Sequence, residues 1–280
     1  MKRNAMFRII LYSMAILLLV GILTIGIGVK LLSFDHAEAT ESASGTVSSQ
    51  EVRRISIEWD AGDVTIRAAD VTDIFFTETC DAKAKPMAWQ KNGDTLAISY
   101  SKNKNRIGIH STTGKALLIE VPREWVCQEL DLEVSATSLH VENLTIKELD
   151  FDGAAGDCRF DNCTVGSLEM SAAAGDVTFS GCLDQMEFEG GSGDLKLMIW
   201  NDPQSISLEA ASGDLDLTLP ADCGFSAEIN VLSGDFTSDF PTNQRGNRHV
   251  YGNGSCRIEM KALSGDISIH QGQEAENCDH

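Results

Sequence analysis

A four-residue phrase that ends in Gly-Asp recurs through the second half of the chain. Successive Gly positions are separated by 19, 18, 20, 21 and 31 residues, and an Asp directly follows each Gly. Recurrence at such a period indicates a repeat architecture, in which each unit buries its apolar face against the next. With one earlier copy included, the turn pairs are Gly62 and Asp63, Gly156 and Asp157, Gly175 and Asp176, Gly193 and Asp194, Gly213 and Asp214, Gly234 and Asp235, and Gly265 and Asp266.

Apolar and polar residues alternate on both sides of each Gly-Asp. Ile206, Leu208 and Ala210 precede one turn at every second position, and Leu215 and Leu217 follow it in the same way. A period of two predicts half-buried strands. Each unit is therefore expected to be a strand, a corner, a second strand and a return turn. We predict an all-β fold, a parallel β-solenoid or β-helix-like stack of coils of about 19–20 residues.

The Gly and the Asp have separate expected roles in the corner. Gly permits a positive φ, and the Asp side chain can accept hydrogen bonds from nearby backbone N–H groups. If the coils stack in register, the Asp side chains line one edge, where calcium would relieve their repulsion. Turn capping is the favoured alternative, because the calcium-binding nonapeptide G-G-x-G-x-D is absent. A degenerate unit at Thr137-Ser138 keeps the strand pattern without the Gly-Asp.

The N-terminal part of the chain carries a long apolar stretch. Ile9 to Val29 runs for 21 residues without a charge and follows a short basic segment. This length suits a transmembrane helix, and the preceding positive charge predicts a cytoplasmic N-terminus. We predict a cytoplasmic segment at 1–8, an anchor at 9–32 and a flexible polar stalk at 33–50. A signal peptide cleaved after Ala37-Glu38-Ala39 is the alternative, although the apolar region is longer than such peptides usually have.

The remaining chain divides by the regularity of its strand pattern. Residues 51–127 are expected to form an N-terminal β region, 128–270 the Gly-Asp repeats, and 271–280 a frayed polar tail. The longest step between Gly positions contains a polar insertion at 241–249. We predict a surface loop there, with ligand binding as the alternative.

The chain has eight cysteines, and their spacing does not match a structural zinc site. Cys163 and Cys182 each lie seven residues after a Gly of adjacent units. Stacked strands are about 4.8 Å apart, which is within the reach of a disulfide. An exported location would permit that bond. We therefore consider a Cys163–Cys182 disulfide, with two stacked buried thiols as the alternative.

The formal net charge of −20 limits the classes of partner. Nucleic acids and anionic membrane surfaces would repel such a chain, whereas a solvated surface, divalent cations or cationic partners would suit it. The six histidines match no catalytic spacing, and no phosphate-binding or nucleophile motif is present. We predict no catalytic residues, no metal and no cofactor. One outward surface is expected to carry Arg159, Thr178, Lys196, Asp216, Thr237 and Ser268.

The strand that ends at Val121-Pro122, followed by the Ala-Gly-Asp-Val and Ser-Gly-Asp-Leu units, resembles the DUF4097 family. These are β-strand repeat proteins of bacterial envelopes, also described as candidate adhesins. The resemblance covers about residues 52–270, and the Gly-Asp units are its most specific part. It implies a right-handed β-solenoid-like domain outside the cytoplasmic membrane, without a family-wide catalytic residue. The cysteines and the lost Gly-Asp at Thr137-Ser138 depart from the family pattern.

Together these observations predict a single-pass membrane protein with an acidic extracytoplasmic domain. We expect a non-catalytic binding, sensing or scaffold module of the bacterial envelope. Its expected partners are the membrane, through the anchor, and an unidentified envelope protein or glycan, but neither nucleic acid nor a small-molecule cofactor. A cell-surface adhesin is one alternative function, and a carbohydrate-active enzyme of the β-helix type is another.

Overall fold

A computed structural model describes residues 40–41, 44–79, 86–100, 115–273 and 278. Strands and turns make up this part of the chain, and it contains no helix. The strands are β1 Thr40–Glu41, β2 Ser44–Val47, β3 Arg54–Ala69, β4 Ile74–Thr79, β5 Ala88–Asn92, β6 Thr95–Tyr100, β7 Ala116–Pro122, β8 Val126–Glu142, β9 Thr145–Ala155, β10 Cys158–Ala174, β11 Val177–Ser192, β12 Leu195–Ile199, β13 Ser205–Ser212, β14 Leu215–Leu219, β15 Phe225–Ser233, β16 Phe236–Ser238, β17 Asn243–Arg245, β18 Arg248–Tyr251, β19 Cys256–Ser264 and β20 Ile267–Gln271.

Strand segments that precede a Gly-Asp corner pair with the corresponding segments of neighbouring units. Strand segments that follow a corner likewise pair with one another, so two layers are formed. The first set, here called the front layer, has the parallel order β6, β3, β8, β9, β10, β11, β13, β19, β15. The second set, the back layer, has the parallel order β7, β3, β8, β10, β11, β12, β14, β20, β16. The long strands β3, β8, β10 and β11 contribute to both layers. The prediction of an all-β, mostly parallel repeat fold is confirmed.

The two layers enclose one apolar core. Phe160, Phe179, Leu197 and Leu217 are neighbours in successive back-layer strands, and each is 0% exposed. The Phe160 ring also meets Phe151 of the front layer edge-on, with 6.4 Å between the ring centroids. Inward-facing residues of both layers therefore share the same interior, as the alternating pattern predicts.

The corner glycines are required for two physical reasons. Gly193 has a φ of 118°, a value that residues with side chains rarely adopt. A Cβ on Gly193 would also lie 2.1 Å from the carbonyl oxygen of Gly175 in the next unit. Gly213 repeats the arrangement, with the carbonyl oxygen of Gly193 at 2.0 Å. The backbones of neighbouring units thus approach too closely at the corner for any side chain.

The aspartates that follow these glycines form a hydrogen-bonded ladder. Five of the seven carboxylates accept from the backbone N–H of the Asp in the neighbouring unit, whereas capping was expected within the same corner. The bonds run from the N–H groups of Asp176, Asp194, Asp214, Asp266 and Asp235 to the Oδ1 atoms of Asp157, Asp176, Asp194, Asp214 and Asp266, over 2.8–3.1 Å. Capping therefore links units together. The described residues contain no group of three His, Cys, Asp or Glu side chains that could hold a metal ion.

The spatial order of the last units departs from their order in the chain. β19 lies between β13 and β15, and β20 lies between β14 and β16. The final Gly-Asp unit, β19 and β20, therefore lies between two units that are consecutive in sequence, β13 with β14 and β15 with β16. The loop predicted at 241–249 is a hairpin of β17 and β18, and β18 pairs antiparallel with β15. This hairpin covers an edge that would otherwise expose unpaired backbone groups.

Part of the stalk predicted at 33–50 belongs to the sheet. β2 pairs antiparallel with β4, β1 pairs with β5, and Val47 is buried. Pairing of β2 satisfies backbone groups of β4, which explains why a polar sequence is ordered there. The predicted cytoplasmic segment and anchor, residues 1–32, lie outside the described residues. Among the described residues, no helix is long and apolar enough to cross a membrane.

The expected Cys163–Cys182 disulfide is not formed, because Cys182 is bonded to Cys278. The register shifts between Asp161 and Cys163, so Cys163 lies opposite Gly181 instead of Cys182. Cys163 is a buried free thiol, and burial raises its pKa to about 12. Cys278, which belongs to the tail predicted to be frayed, is therefore linked to the repeat domain, with 6.1 Å between the two bonded Cα atoms.

Substitution of Gly193 by Ala should destabilise the fold far more than the same change at Gly93. Both glycines have positive φ, but a Cβ on Gly93 would meet nothing within 4 Å. We expect Gly93→Ala to lower the free energy of unfolding by about 1–2 kcal/mol. Gly193→Ala should lower it by roughly 3 kcal/mol or more, since a backbone overlap adds to the φ strain. Chemical denaturation would measure both values, and equal losses would contradict the close-approach argument.

The ladder predicts that the acceptor oxygen of Asp194 matters more than its charge. Asp194→Asn keeps Oδ1 as an acceptor for the Asp214 N–H, whereas Asp194→Ala removes it. We expect Ala to cost about 0.5–1.5 kcal/mol of unfolding free energy and Asn clearly less. Thermal unfolding with and without calcium would test this assignment. An equal loss in both variants, or a calcium-dependent stabilisation of the wild type only, would favour a cation site.

Candidate binding face

The outward positions of the front layer carry a concentration of carboxylates. They alternate with the inward apolar residues of each strand, so they point away from the core. This surface, called here the acidic face, consists of Glu58 on β3, Asp131 and Glu133 on β8, Asp150 and Asp152 on β9, Glu169 on β10, Glu187 and Glu189 on β11, and Glu209 on β13.

Strand register places these carboxylates directly beside one another. Asp131, Asp150, Glu169 and Glu187 occupy matching positions on four successive strands. Neighbouring strands are about 4.8 Å apart, and like charges at opposed positions destabilise a sheet. The parallel stack therefore brings carboxylates together at an energetic cost that the core must offset.

The electrostatic strain is greatest at the centre of the face. Burial raises the pKa values of Asp131, Glu133, Asp150 and Asp152, and repulsion by neighbouring carboxylates raises them further. The Ser56 hydroxyl donates to Asp131 at 3.0 Å and opposes the shift there. A positive charge placed over these four groups would be stabilised by all of them.

At the β13 end of the acidic face, a described cationic side chain contacts one of its carboxylates. Lys261 on β19 pairs with Glu209 and, at 2.6 Å, with Glu259. Burial lowers the pKa of Lys261, but its hydrogen bonds to the two glutamates raise it above the ordinary value. From β8 to β11, none of the seven carboxylates of the face has a described Lys, Arg or His within 4.0 Å. No described residue therefore supplies a counter-charge within 4.0 Å of that part of the face.

The outward row expected on the back layer is also in register. Arg159, Thr178, Lys196 and Asp216 follow one another, and Ser268 lies between Asp216 and Thr237. The charges in this row are mixed, and Arg159 forms an ion pair with Asp161. The back layer therefore lacks the single-sign character of the acidic face.

Sequence reasoning identified the corner residues and the back row but missed the acidic face. The signal was present at the fourth and sixth positions before each Gly, where Glu187 and Glu189 are one example. Because the acidic excess was assigned to the whole surface, its concentration on one side was not recognised. Pairing between strands distant in sequence, such as β3 with β8, then completes the face.

A smaller surface of opposite charge lies on the hairpin that covers β15. Arg245 and Arg248 face each other across β17 and β18, and both are exposed. Arg248 donates to the Ser226 hydroxyl at 3.0 Å, and no described carboxylate lies within 4.0 Å of either guanidinium. The charge on this hairpin is thus opposite in sign to that of the acidic face.

Removal of one central charge should stabilise the protein at neutral pH. Glu133 lies between Glu58 and Asp152, so Glu133→Gln removes repulsion on both sides. We expect the free energy of unfolding to rise by about 0.5–1 kcal/mol near pH 7. Glu124→Gln, in the exposed turn after β7, is the matched control and should change stability little.

Lower pH should abolish the advantage of Glu133→Gln. A carboxyl with a raised folded-state pKa opposes folding while it is ionised, and this cost disappears as the pH falls through that pKa. The difference from wild type should therefore be largest near pH 7 and vanish as the pH falls below the ordinary glutamate pKa of about 4.3. Denaturation curves across this range would show it. A difference that stayed constant with pH would contradict the electrostatic explanation.

Three solved structures are similar to the chain at low identity. A candidate cell adhesion protein from Clostridium sporogenes is 13% identical, with 84% of this chain and 100% of that chain covered and a TM-score of 0.41. A candidate adhesin from Bacteroides fragilis is 12% identical, with coverages of 82% and 96% and a TM-score of 0.44. A candidate lipid binding protein from Parabacteroides distasonis is 14% identical, with coverages of 84% and 97% and a TM-score of 0.37. No curated protein matches the chain.

A family model provides the stronger comparison. The model of DUF4097, described as Toastrack, matches residues 52–182 and 119–270. These two overlapping matches contain every Gly-Asp corner from Gly62 to Gly265 and both strand layers of the repeats. The chain therefore belongs to the Toastrack DUF4097 family.

Proposed function

We propose that the chain is a single-pass membrane protein whose extracytoplasmic β-solenoid acts as a non-catalytic binding, sensing or scaffold module of the bacterial envelope. In this proposal the acidic face is the contact surface, and its partner is an envelope protein segment or glycan that carries several positive charges. The anchor at 9–32 holds the domain close to the membrane.

The main support is the in-register row of carboxylates from β8 to β11, none of which has a described Lys, Arg or His within 4.0 Å. Asp131, Glu133, Asp150 and Asp152 all have raised pKa values, first through burial and then through mutual repulsion. A bound cationic partner would relieve this repulsion, so part of its binding energy would come from strain already present in the free protein.

Rigidity of the face supports a binding role over a merely solubilising one. The corner glycines and the Asp ladder fix the separation of neighbouring units, as seen between the units of Asp176 and Asp194. Outward side chains therefore repeat at a strand spacing of about 4.8 Å. A regular array of charges can engage a partner with little loss of conformational freedom, which favours affinity.

Two features support an extracytoplasmic location. The uncharged stretch from Ile9 to Val29 follows basic residues, the arrangement expected of an anchor with a cytoplasmic N-terminus. The Cys182–Cys278 disulfide is typical of proteins in oxidising compartments and uncommon in the cytosol.

Affinity capture with the full-length chain would test the proposal. The tagged protein, solubilised in detergent from its own host, would be compared with the triple variant Glu133→Gln, Asp150→Asn, Asp152→Asn. Loss of three charge pairs at roughly 0.2–1 kcal/mol each should weaken binding about 3- to 150-fold. Partners should also be released by salt, since about 1 M salt shortens the screening length to about 3 Å.

The control has the same charge change away from the acidic face. Asp73→Asn, Asp94→Asn and Glu124→Gln lie in turns and should leave capture intact. Components recovered by wild type and control but lost with the triple variant would support the proposal. An identical set of captured components from all three proteins would contradict it.

A further inference from the structure

Two of the buried free cysteines form a pair. Cys223 and Cys256 are 0% and 1% exposed, and the Cys256 thiol is close enough to raise the pKa of the Cys223 thiol. The other described free thiols have different partners. Cys127, for example, donates to the carbonyl oxygen of Glu129 at 3.2 Å, and Cys163 donates to that of Asp161 at 3.5 Å. The contact between Cys223 and Cys256 is therefore a distinct feature of the core.

The backbone positions of the pair suit a covalent bond. Cys223 immediately precedes Gly224, whose carbonyl oxygen accepts the N–H of Cys256 at 3.0 Å. Cys256 is the first residue of β19 and the register partner of Phe225, the first residue of β15, and Cys223 lies two residues before Phe225. The hydrogen bond at Gly224 therefore holds the backbone next to Cys223 against Cys256, which a disulfide between the two residues requires.

The pair lies where the order of units departs from the order of the chain. β19 lies between β13 and β15 in the sheet, although β14 to β18 separate β19 from β13 in the sequence. A link between Cys223 and Cys256 would hold the start of β19 beside the start of β15. It would also enclose the covering hairpin of β17 and β18 in a closed loop.

We propose that Cys223 and Cys256 are an oxidation site that forms a second disulfide, which fastens the inserted β19 to β15. Two S–H bonds break and one S–S bond forms, releasing two protons and two electrons. A disulfide-bearing oxidant, such as oxidised glutathione or a thiol–disulfide oxidoreductase, accepts the electrons and is reduced to two thiols. The new disulfide is a second covalent cross-link, separate from the one between Cys182 and Cys278.

The bond forms during folding, before the core closes. Thiolate is the reactive species, and the Cys223 pKa is raised by the contact with Cys256, by burial and by the nearby Asp202 carboxylate. Once both thiols are enclosed, thiolate is scarce and an oxidant has no access. In the open chain, both groups are exposed and have ordinary reactivity.

Refolding of the full-length chain would test the proposal without relying on its cellular location. The protein, held in detergent micelles, would be reduced, unfolded and refolded with a mixture of oxidised and reduced glutathione. Remaining thiols would be alkylated, and peptides would be mapped without reduction. We expect a linked Cys223–Cys256 peptide beside the Cys182–Cys278 peptide, whereas Cys127, Cys158 and Cys163 should be alkylated. Alkylated or glutathione-bound Cys223 and Cys256 would overturn the proposal.

Thermal unfolding would provide a second readout. In a Cys182→Ser, Cys278→Ser background, addition of reductant should lower the melting temperature of the refolded protein by roughly 4–16 °C. Adding Cys223→Ser and Cys256→Ser should abolish that difference between oxidised and reduced samples. An unchanged melting temperature in the first background would count against the bond. The refolding experiment tests only the cysteine pair. Evidence against the proposed envelope function would therefore not change its result.

Discussion

Close contact between backbones at the Gly-Asp corners governs the rest of this structure. Neighbouring units meet so tightly that a Cβ on Gly175 would lie 2.2 Å from the carbonyl oxygen of Gly156. This contact sets the separation of the units and allows each Asp carboxylate to reach the next backbone N–H. The shared core, with Phe160 against Phe179, depends on the same separation, because inward residues stack only when the corners coincide.

Such regular stacking has an electrostatic consequence. Any residue type that recurs at one position of the repeat is placed beside its own kind on the neighbouring strand, as Asp150 is beside Glu169. For apolar residues this placement builds a core, whereas for carboxylates it builds a repelling row. The chain retains that row on one layer only, since the hairpin and the back layer carry arginine and mixed residues. This asymmetry is the basis for proposing the acidic face as a contact surface.

Several elements could be predicted from sequence because their causes are local. The alternation around Leu208 and Leu217 specifies strands, and the recurrent Gly marks corners where only Gly fits. The acidic face was predictable in principle from the positions before each corner. The partner of Cys182 was not, because a single extra residue near Asn162 moves Cys163 out of register. A small irregularity of this kind has no clear sign in an otherwise periodic pattern.

The sequence by itself determined the all-β class, the repeat length and the identity of the corner residues, because these depend on neighbours within one unit. Only the tertiary structure decided which units lie side by side. Sequence order would place β15 next to β13, yet β19 occupies that position and leaves β15 to be covered by β18. Units with the same apolar pattern can stack in more than one order. The choice therefore depends on contacts between residues far apart in the chain, which a local period does not encode.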